Sequence, residues 1–86
     1  IELKPRPGEF TLRTADVIHT LEQQGASVAL VLLGAVQYYT GQFFDIQKIT
    51  EAGKKIGAMV GWDLAHAIGN VPLRLHRHQV DFAVWC

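Results

Sequence analysis

The chain has little cysteine, little proline and no surplus charge of either sign. One cysteine among 86 residues, Cys86, excludes an internal disulfide and fits a reducing compartment. Eight Lys and Arg balance eight Asp and Glu, so no long-range field draws the chain to nucleic acid or to an anionic membrane. The longest apolar run, 26–36, is interrupted by Ser27 and Gly34 and is far too short to span a bilayer. The four histidines do not fall at the spacings of zinc ligands, and a metal site from His66, His76 and His78 has no carboxylate or cysteine to support it. No glycine-rich phosphate loop, Ser-His-Asp order, sustained heptad, internal repeat or interdomain linker occurs. Eighty-six residues suffice for one small unit, which at this length buries only roughly 60–65% of its unfolded surface.

What is present, at 49% apolar residues, is an alternation of amphipathic stretches and short apolar runs. Two of the three prolines, Pro5 and Pro7, make 4–9 an extended or turning connector. Thr14 is a candidate N-cap, Asp16 suits the first turn, and Val17, Ile18 and Leu21 fall at helical spacing, which predicts a helix over about 15–24 closed by Gly25. The run 28–33 is apolar on both alternating faces, as a central parallel strand should be. The following loop carries Tyr39, Thr40 and Gln42, which offer hydrogen bonds to a ligand or simply pack beside the sheet. Asp45 is a second N-cap candidate. Ile46, Ile49, Ala52 and Ile56 make the apolar face of the next helix, with lysines near its end and Gly57 as its stop. Gly53 weakens that helix unless close packing on the sheet compensates. The runs 58–62 and 82–85 complete one mainly parallel sheet with helices between the strands. Residues 75–79 read as a short turn of helix.

The chain is organised around 60–70, Val-Gly-Trp-Asp-Leu-Ala-His-Ala-Ile-Gly-Asn. An apolar strand ends in Asp63, and His66 follows three residues later. In open parallel sheets ligands sit outside the carboxyl ends of the strands, so a lone carboxylate there faces the ligand crevice, with His66 near enough to address the same ligand. The other reading is that Asp63 caps a following helix and His66 packs beneath it. The start at Ile1 and the strand-like finish at 80–86 lead us to expect a slice of a longer protein.

Three segments carry a resemblance: Asp-Leu-Ala-His-Ala-Ile-Gly-Asn at 63–70, Val-Asp-Phe-Ala-Val-Trp-Cys at 80–86, and Tyr-Thr-Gly-Gln at 39–42 with the strand before it. Together with the proline-containing opening they make nearly the whole chain similar to the kynureninase family. That family consists of pyridoxal-phosphate enzymes built on the aspartate-aminotransferase type of fold. The Asp-x-Ala-Gln/His-Ala pattern is shared with the wider superfamily, including cysteine desulfurases. The resemblance implies an α/β, three-layer fragment with a mainly parallel sheet, residues 1–86 being a single segment, truncated at both ends, of the large cofactor-binding domain of a fold-type-I enzyme.

It also implies roles. Asp63 matches the aspartate that pairs with the pyridine nitrogen of pyridoxal 5'-phosphate, favouring the protonated ring as an electron sink. His66 matches a cofactor-contacting histidine. No catalytic residue is expected in this segment, since the lysine that carries the cofactor lies beyond Cys86 in the family, and no metal is expected. Gly34 stands where the family has a serine or threonine touching the cofactor. The implied reaction is hydrolysis of L-kynurenine or 3-hydroxykynurenine to an anthranilate and L-alanine, in tryptophan degradation and NAD biosynthesis, by a cytoplasmic homodimer acting on a small molecule. The alternatives are another lyase of this fold, such as a cysteine desulfurase or selenocysteine lyase, and a nucleotide-binding module, which the missing phosphate loop disfavours.

Overall fold

The computed structural model describes residues 1–86. Its order is α1 (Thr14–Gln24), β1 (Leu30–Gly34), α2 (Ile46–Lys55), β2 (Met59–Asp63) and β3 (Phe82–Val84). The three strands form one sheet in the order β1-β2-β3, and both pairings are parallel. The three apolar runs read from the sequence are therefore the three strands. Leu30 to Gly34 lie opposite Met59 to Asp63 in register, and Gly61 to Asp63 lie opposite Phe82 to Val84.

The first helix begins differently from its expected cap. Arg13 occupies the N-cap without a side-chain cap bond, and Thr14 is already helical. Asp16 in the first turn accepts two hydrogen bonds from the Arg6 guanidinium at 2.7 and 2.8 Å, and Arg13 grips Glu9. These two pairs bind the proline-containing connector to α1. Because Arg6 and Arg13 bond them directly, the Asp16 and Glu9 carboxyls titrate below their ordinary range. Val17 and Leu21, one turn apart, are the buried residues of this helix. After Gly25, at φ 51°, a 3-10 turn takes Gly25–Ser27, so β1 starts at Leu30 and runs through Gly34 instead of covering 28–33.

Asp45 caps α2 as its position in the sequence suggests, accepting the Lys48 N–H at 3.0 Å. Gly53 is placed by packing. A Cβ there would stand 2.6 Å from Val60 Cγ2 and 3.3 Å from Val31 Cγ2, so only glycine lets the helix lie this close to the sheet. One turn earlier, Thr50 Oγ1 accepts the Trp62 Nε1–H at 2.9 Å, and neither residue is exposed. That bond satisfies the indole donor at the centre of the core. Gly57, at φ 84°, ends the helix region and turns the chain into β2.

Val31, Val60 and Trp62 form the sheet's contribution to the core, beneath α2, with Val17 and Leu21 of α1 in the same cluster. The opposite face carries Leu30, Leu32, Met59 and Val84, each roughly half exposed. Of the three-layer arrangement expected, these residues thus supply two layers, a sheet and the helices on one side of it. On the open face the Phe82 ring lies directly over Gly61; a Cβ at that glycine would fall 2.1 Å from Phe82 Cζ.

The β2-to-β3 connection corrects the expectation of a helix between every pair of strands. Residues 64–81 form turns only, with Gly69 at φ 78° and Gln79 at φ 57°. The last strand is secured by Asp81 immediately before it. Its backbone N–H donates to Val60 O at 2.9 Å, while its carboxylate accepts the Val60 N–H at 2.8 Å and Lys54 Nζ at 2.7 Å. Lys54, one of the lysines near the end of α2, is thereby paired. No helix in the chain is long and apolar enough to cross a membrane.

Candidate functional site

The carboxyl ends of β1 and β2 set the site. Trp62 and Leu64 are fully buried, so the strand alternation turns Asp63 outward between them. The backbone of Asp63 is held on both sides. Its carbonyl accepts from Ala35 N–H at 2.9 Å, and the next amide, Leu64 N–H, donates to Val84 O at 2.8 Å. The carboxylate is therefore projected from backbone that is bonded on both sides.

The side chain is divided in its use. Asp63 Oδ1 accepts the Ala65 N–H at 2.8 Å and so forms an Asx-type turn, while Oδ2 has no partner within the chain. No Lys or Arg pairs with it. The cap reading of the sequence is accordingly half met. Asp63 does stabilise the next few residues, but they form a turn rather than a helix, and one carboxylate oxygen remains unspent.

His66 sits on that turn. The buried Leu64 and Ala67 anchor the turn beneath it, and Asn70 Nδ2 donates to its carbonyl at 3.0 Å. Its imidazole is exposed and does not pack under Asp63. Asp63 and His66 line one open depression of about 550 Å³, together with Gly34, Gln37 and Tyr38 and with apolar residues of the amino-terminal segment. The two residues singled out in the sequence are thus brought to one cavity. Gly34 lies opposite Asp63 in the β1–β2 register. A Cβ at Gly34 would make only an ordinary contact, 3.6 Å from Val36 O, so the floor beside Asp63 is open by choice of residue and not by steric need.

The loop after β1 behaves otherwise than expected. Gln42 donates from Nε2 to Leu12 O at 2.6 Å and accepts Leu12 N–H at 2.9 Å, which commits both ends of its amide to the fold. Thr40 is folded back onto Gln37, and Tyr39 is 86% exposed and neither lines the depression nor packs beside the sheet. Val36, Gln37, Tyr38 and Phe44 are the residues of this loop that line the depression. The sequence carried a signal for Gln37, since a glutamine two and three positions before Tyr39 and Thr40 can fold back on their amides, and its Oε1 accepts both at 2.6 and 2.7 Å. Nothing local distinguished Tyr38 from Tyr39.

Pyridoxal phosphate can be tested against this donor set. The protonated pyridine nitrogen of that cofactor requires one unpaired anionic acceptor, and Asp63 Oδ2 is one. A neutral or cationic imidazole beside it suits a ring oxygen or a phosphate. The residues fit, and Gly34 has no side chain to add a contact.

Residues 8–86 match the family model of aminotransferase class-V. Curated kynureninases from Dictyostelium discoideum, Salinispora tropica and Nematostella vectensis are 64%, 62% and 59% identical to the chain over all of its 86 residues. The chain covers 19%, 20% and 18% of those proteins, so it spans about a fifth of the length of the curated relatives it matches. Among solved structures, a NifS-like protein from Rickettsia africae superposes with a TM-score of 0.71 at 26% identity, over 86% of this chain and 21% of that one. The SepCysS–SepCysE N-terminal domain complex gives a TM-score of 0.75 at 20% identity, over 88% of this chain and 21% of that one, a likeness of fold alone.

Proposed function

The chain belongs to the aminotransferase class-V family, and on that premise we propose that it is the Asp63-bearing part of the cofactor domain of a kynureninase. The full protein hydrolyses L-kynurenine or 3-hydroxykynurenine to an anthranilate and L-alanine with pyridoxal 5'-phosphate. The observation that carries the reading is the unpaired Oδ2 of Asp63, projected beside His66 into one depression at the carboxyl ends of parallel strands. The identities of 59–64% to curated kynureninases support this enzyme over the sulfur and selenium lyases.

When bound, the cofactor supplies an electron-poor ring that accepts the electron pair of a bond broken in the amino-acid substrate. The chain's contribution is to keep that ring cationic. The Asp63 carboxylate holds a proton at the ring nitrogen, and the Ala65 N–H fixes the carboxylate's orientation through its other oxygen. His66 would hold the cofactor by donating to one of its oxygens. Gly34 would add no side-chain contact. By the same resemblance we propose that the full protein is a cytoplasmic homodimer.

The test is direct. The full-length protein, reconstituted with pyridoxal phosphate, is expected to release anthranilate, followed by its fluorescence, and L-alanine in equal amounts from L-kynurenine. Release of sulfur from cysteine, with no anthranilate from kynurenine, would assign it to the other lyases and refute the proposal.

A further inference from the structure

The loop between β1 and α2 is tied down at almost every residue. Gln37 N–H donates to Gln42 O at 2.9 Å, and Gly41 N–H, in a left-handed residue at φ 73°, donates to Gln37 O at 2.8 Å. Val36 and Phe43 form an antiparallel bridge at its base. The Gln37 side chain gathers the amides of Tyr39 and Thr40, and the Gln42 amide clamps the whole loop to Leu12. At the tip two tyrosine rings meet edge to face, with centroids 6.4 Å apart and planes at 60°.

Those rings are left in water, Tyr38 at 80% exposure and Tyr39 at 86%. They differ in where they stand. Tyr38 lines the depression that holds Asp63 and His66, whereas Tyr39 does not. Phe44, the other phenyl ring of that wall, is a core residue at 6% exposure. Tyr38 is therefore the ring of the wall with a free face. Because its loop is already ordered, covering that face costs little further conformational entropy. A planar aromatic partner gains both the buried area and the stacking preference of ring pairs.

We propose that Tyr38 is a specificity-determining residue that packs against the aryl ring of the substrate and so favours amino acids bearing an aromatic side-chain ketone. This deepens the kynureninase reading and rests on it. Stacking requires the ring and not the hydroxyl, so phenylalanine should serve in its place.

The experiment uses the full-length holoenzyme. Tyr38→Ala is expected to raise KM for L-kynurenine about tenfold, equivalent to ~1.4 kcal/mol, with kcat within about twofold of the wild type and an unchanged Kd for pyridoxal phosphate. Tyr38→Phe should restore KM, and Tyr39→Ala should leave it unaltered. Product inhibition by anthranilate, which presents the same ring, should weaken in Tyr38→Ala in the same proportion. An unchanged KM and anthranilate inhibition in Tyr38→Ala, a failure of phenylalanine to rescue, or a loss confined to kcat or to cofactor affinity would each overturn the proposal. If the wild-type holoenzyme cleaves kynurenine and the substitution has no effect, this inference alone fails. If the wild type does not cleave kynurenine, the functional reading fails and takes this one with it.

Discussion

Asp63→Asn in the full-length protein separates the two jobs that the structure gives one side chain. The local job is the Asx-type turn, in which Oδ1 accepts the Ala65 N–H at 2.8 Å. An asparagine Oδ1 accepts the same bond, and asparagine is as good as aspartate at turns and caps, so the change in folding stability should be within about 0.5 kcal/mol. The distant job belongs to Oδ2, which has no partner in the chain. Replacing it with an amide group removes a unit negative charge and puts donors where an acceptor is needed. The depression is open, so the effective dielectric is that of a protein surface. Unit charges about 4 Å apart then interact by roughly 4 kcal/mol. Only the part of that interaction that grows as the ring takes up electrons slows the reaction. Allowing about two-thirds of it, turnover should fall at least about a hundredfold, or ~2.7 kcal/mol of transition-state stabilisation. The assay is steady-state kynurenine cleavage at saturating pyridoxal phosphate, with circular dichroism to verify the fold. Turnover within about threefold of the wild type, in a folded holoenzyme, would show that Asp63 only shapes a turn and would refute the assignment.

Two further outcomes concern the scaffold. Gly53→Ala should lower the urea midpoint, because a methyl 2.6 Å from Val60 Cγ2 and 3.3 Å from Val31 Cγ2 meets stiff β-branched side chains. Overpacking of about 1–3 kcal/mol exceeds the gain of about 1 kcal/mol in helix propensity, and a raised midpoint would contradict the observed helix–sheet distance. The Asp81 carboxyl is held below its ordinary value near 3.8, first by Lys54 and then by the Val60 N–H. A carboxyl depressed on folding contributes stability above its unfolded value and loses it as the pH falls through the lower folded one. Acid unfolding below about pH 4 should therefore be shallower in Asp81→Asn, monitored by tryptophan fluorescence, and an unchanged acid limb would remove Asp81 from that transition.

The parts of the fold that could be read in the sequence are those decided by neighbours along the chain. The three apolar runs became the three strands because each is too short for a buried helix and is apolar on both alternating faces. Asp45 caps α2 because its partner, Lys48, is three residues away. Gly53 was legible as an anomaly, though not its cause, which lies in Val31 and Val60 across the core. Thr14 misleads because the first turn of α1 is served by Arg6, ten residues before Asp16, a contact that no local pattern encodes. In the site, Asp63 and His66 stood out from strand-end logic and from resemblance alike. Gln42 looked like a ligand group and proved to be a clamp on Leu12, thirty residues away. Tyr38 and Tyr39 are the same residue type side by side, and only the shape of a fixed loop separates them.

The clip at Asp81 has a consequence for motion. β3 comprises three residues and reaches the sheet after an eighteen-residue stretch, 64–81, that contains no helix. Such an element is the natural candidate for the first cooperative unit to detach in native-state hydrogen exchange, well before the core of Trp62 and Ile49 opens. Asp81 bonds Val60 through both backbone and carboxylate, and Val84 O receives the amide that follows Asp63. Release of β3 would thus free the backbone on the far side of Asp63 and loosen the turn that aims its carboxylate. The lifetime of a correctly aimed Asp63 is then bounded by the opening rate of a three-residue strand. Exchange at Leu64 and Val60 ahead of the core amides would be the signature of a site whose register depends on β3.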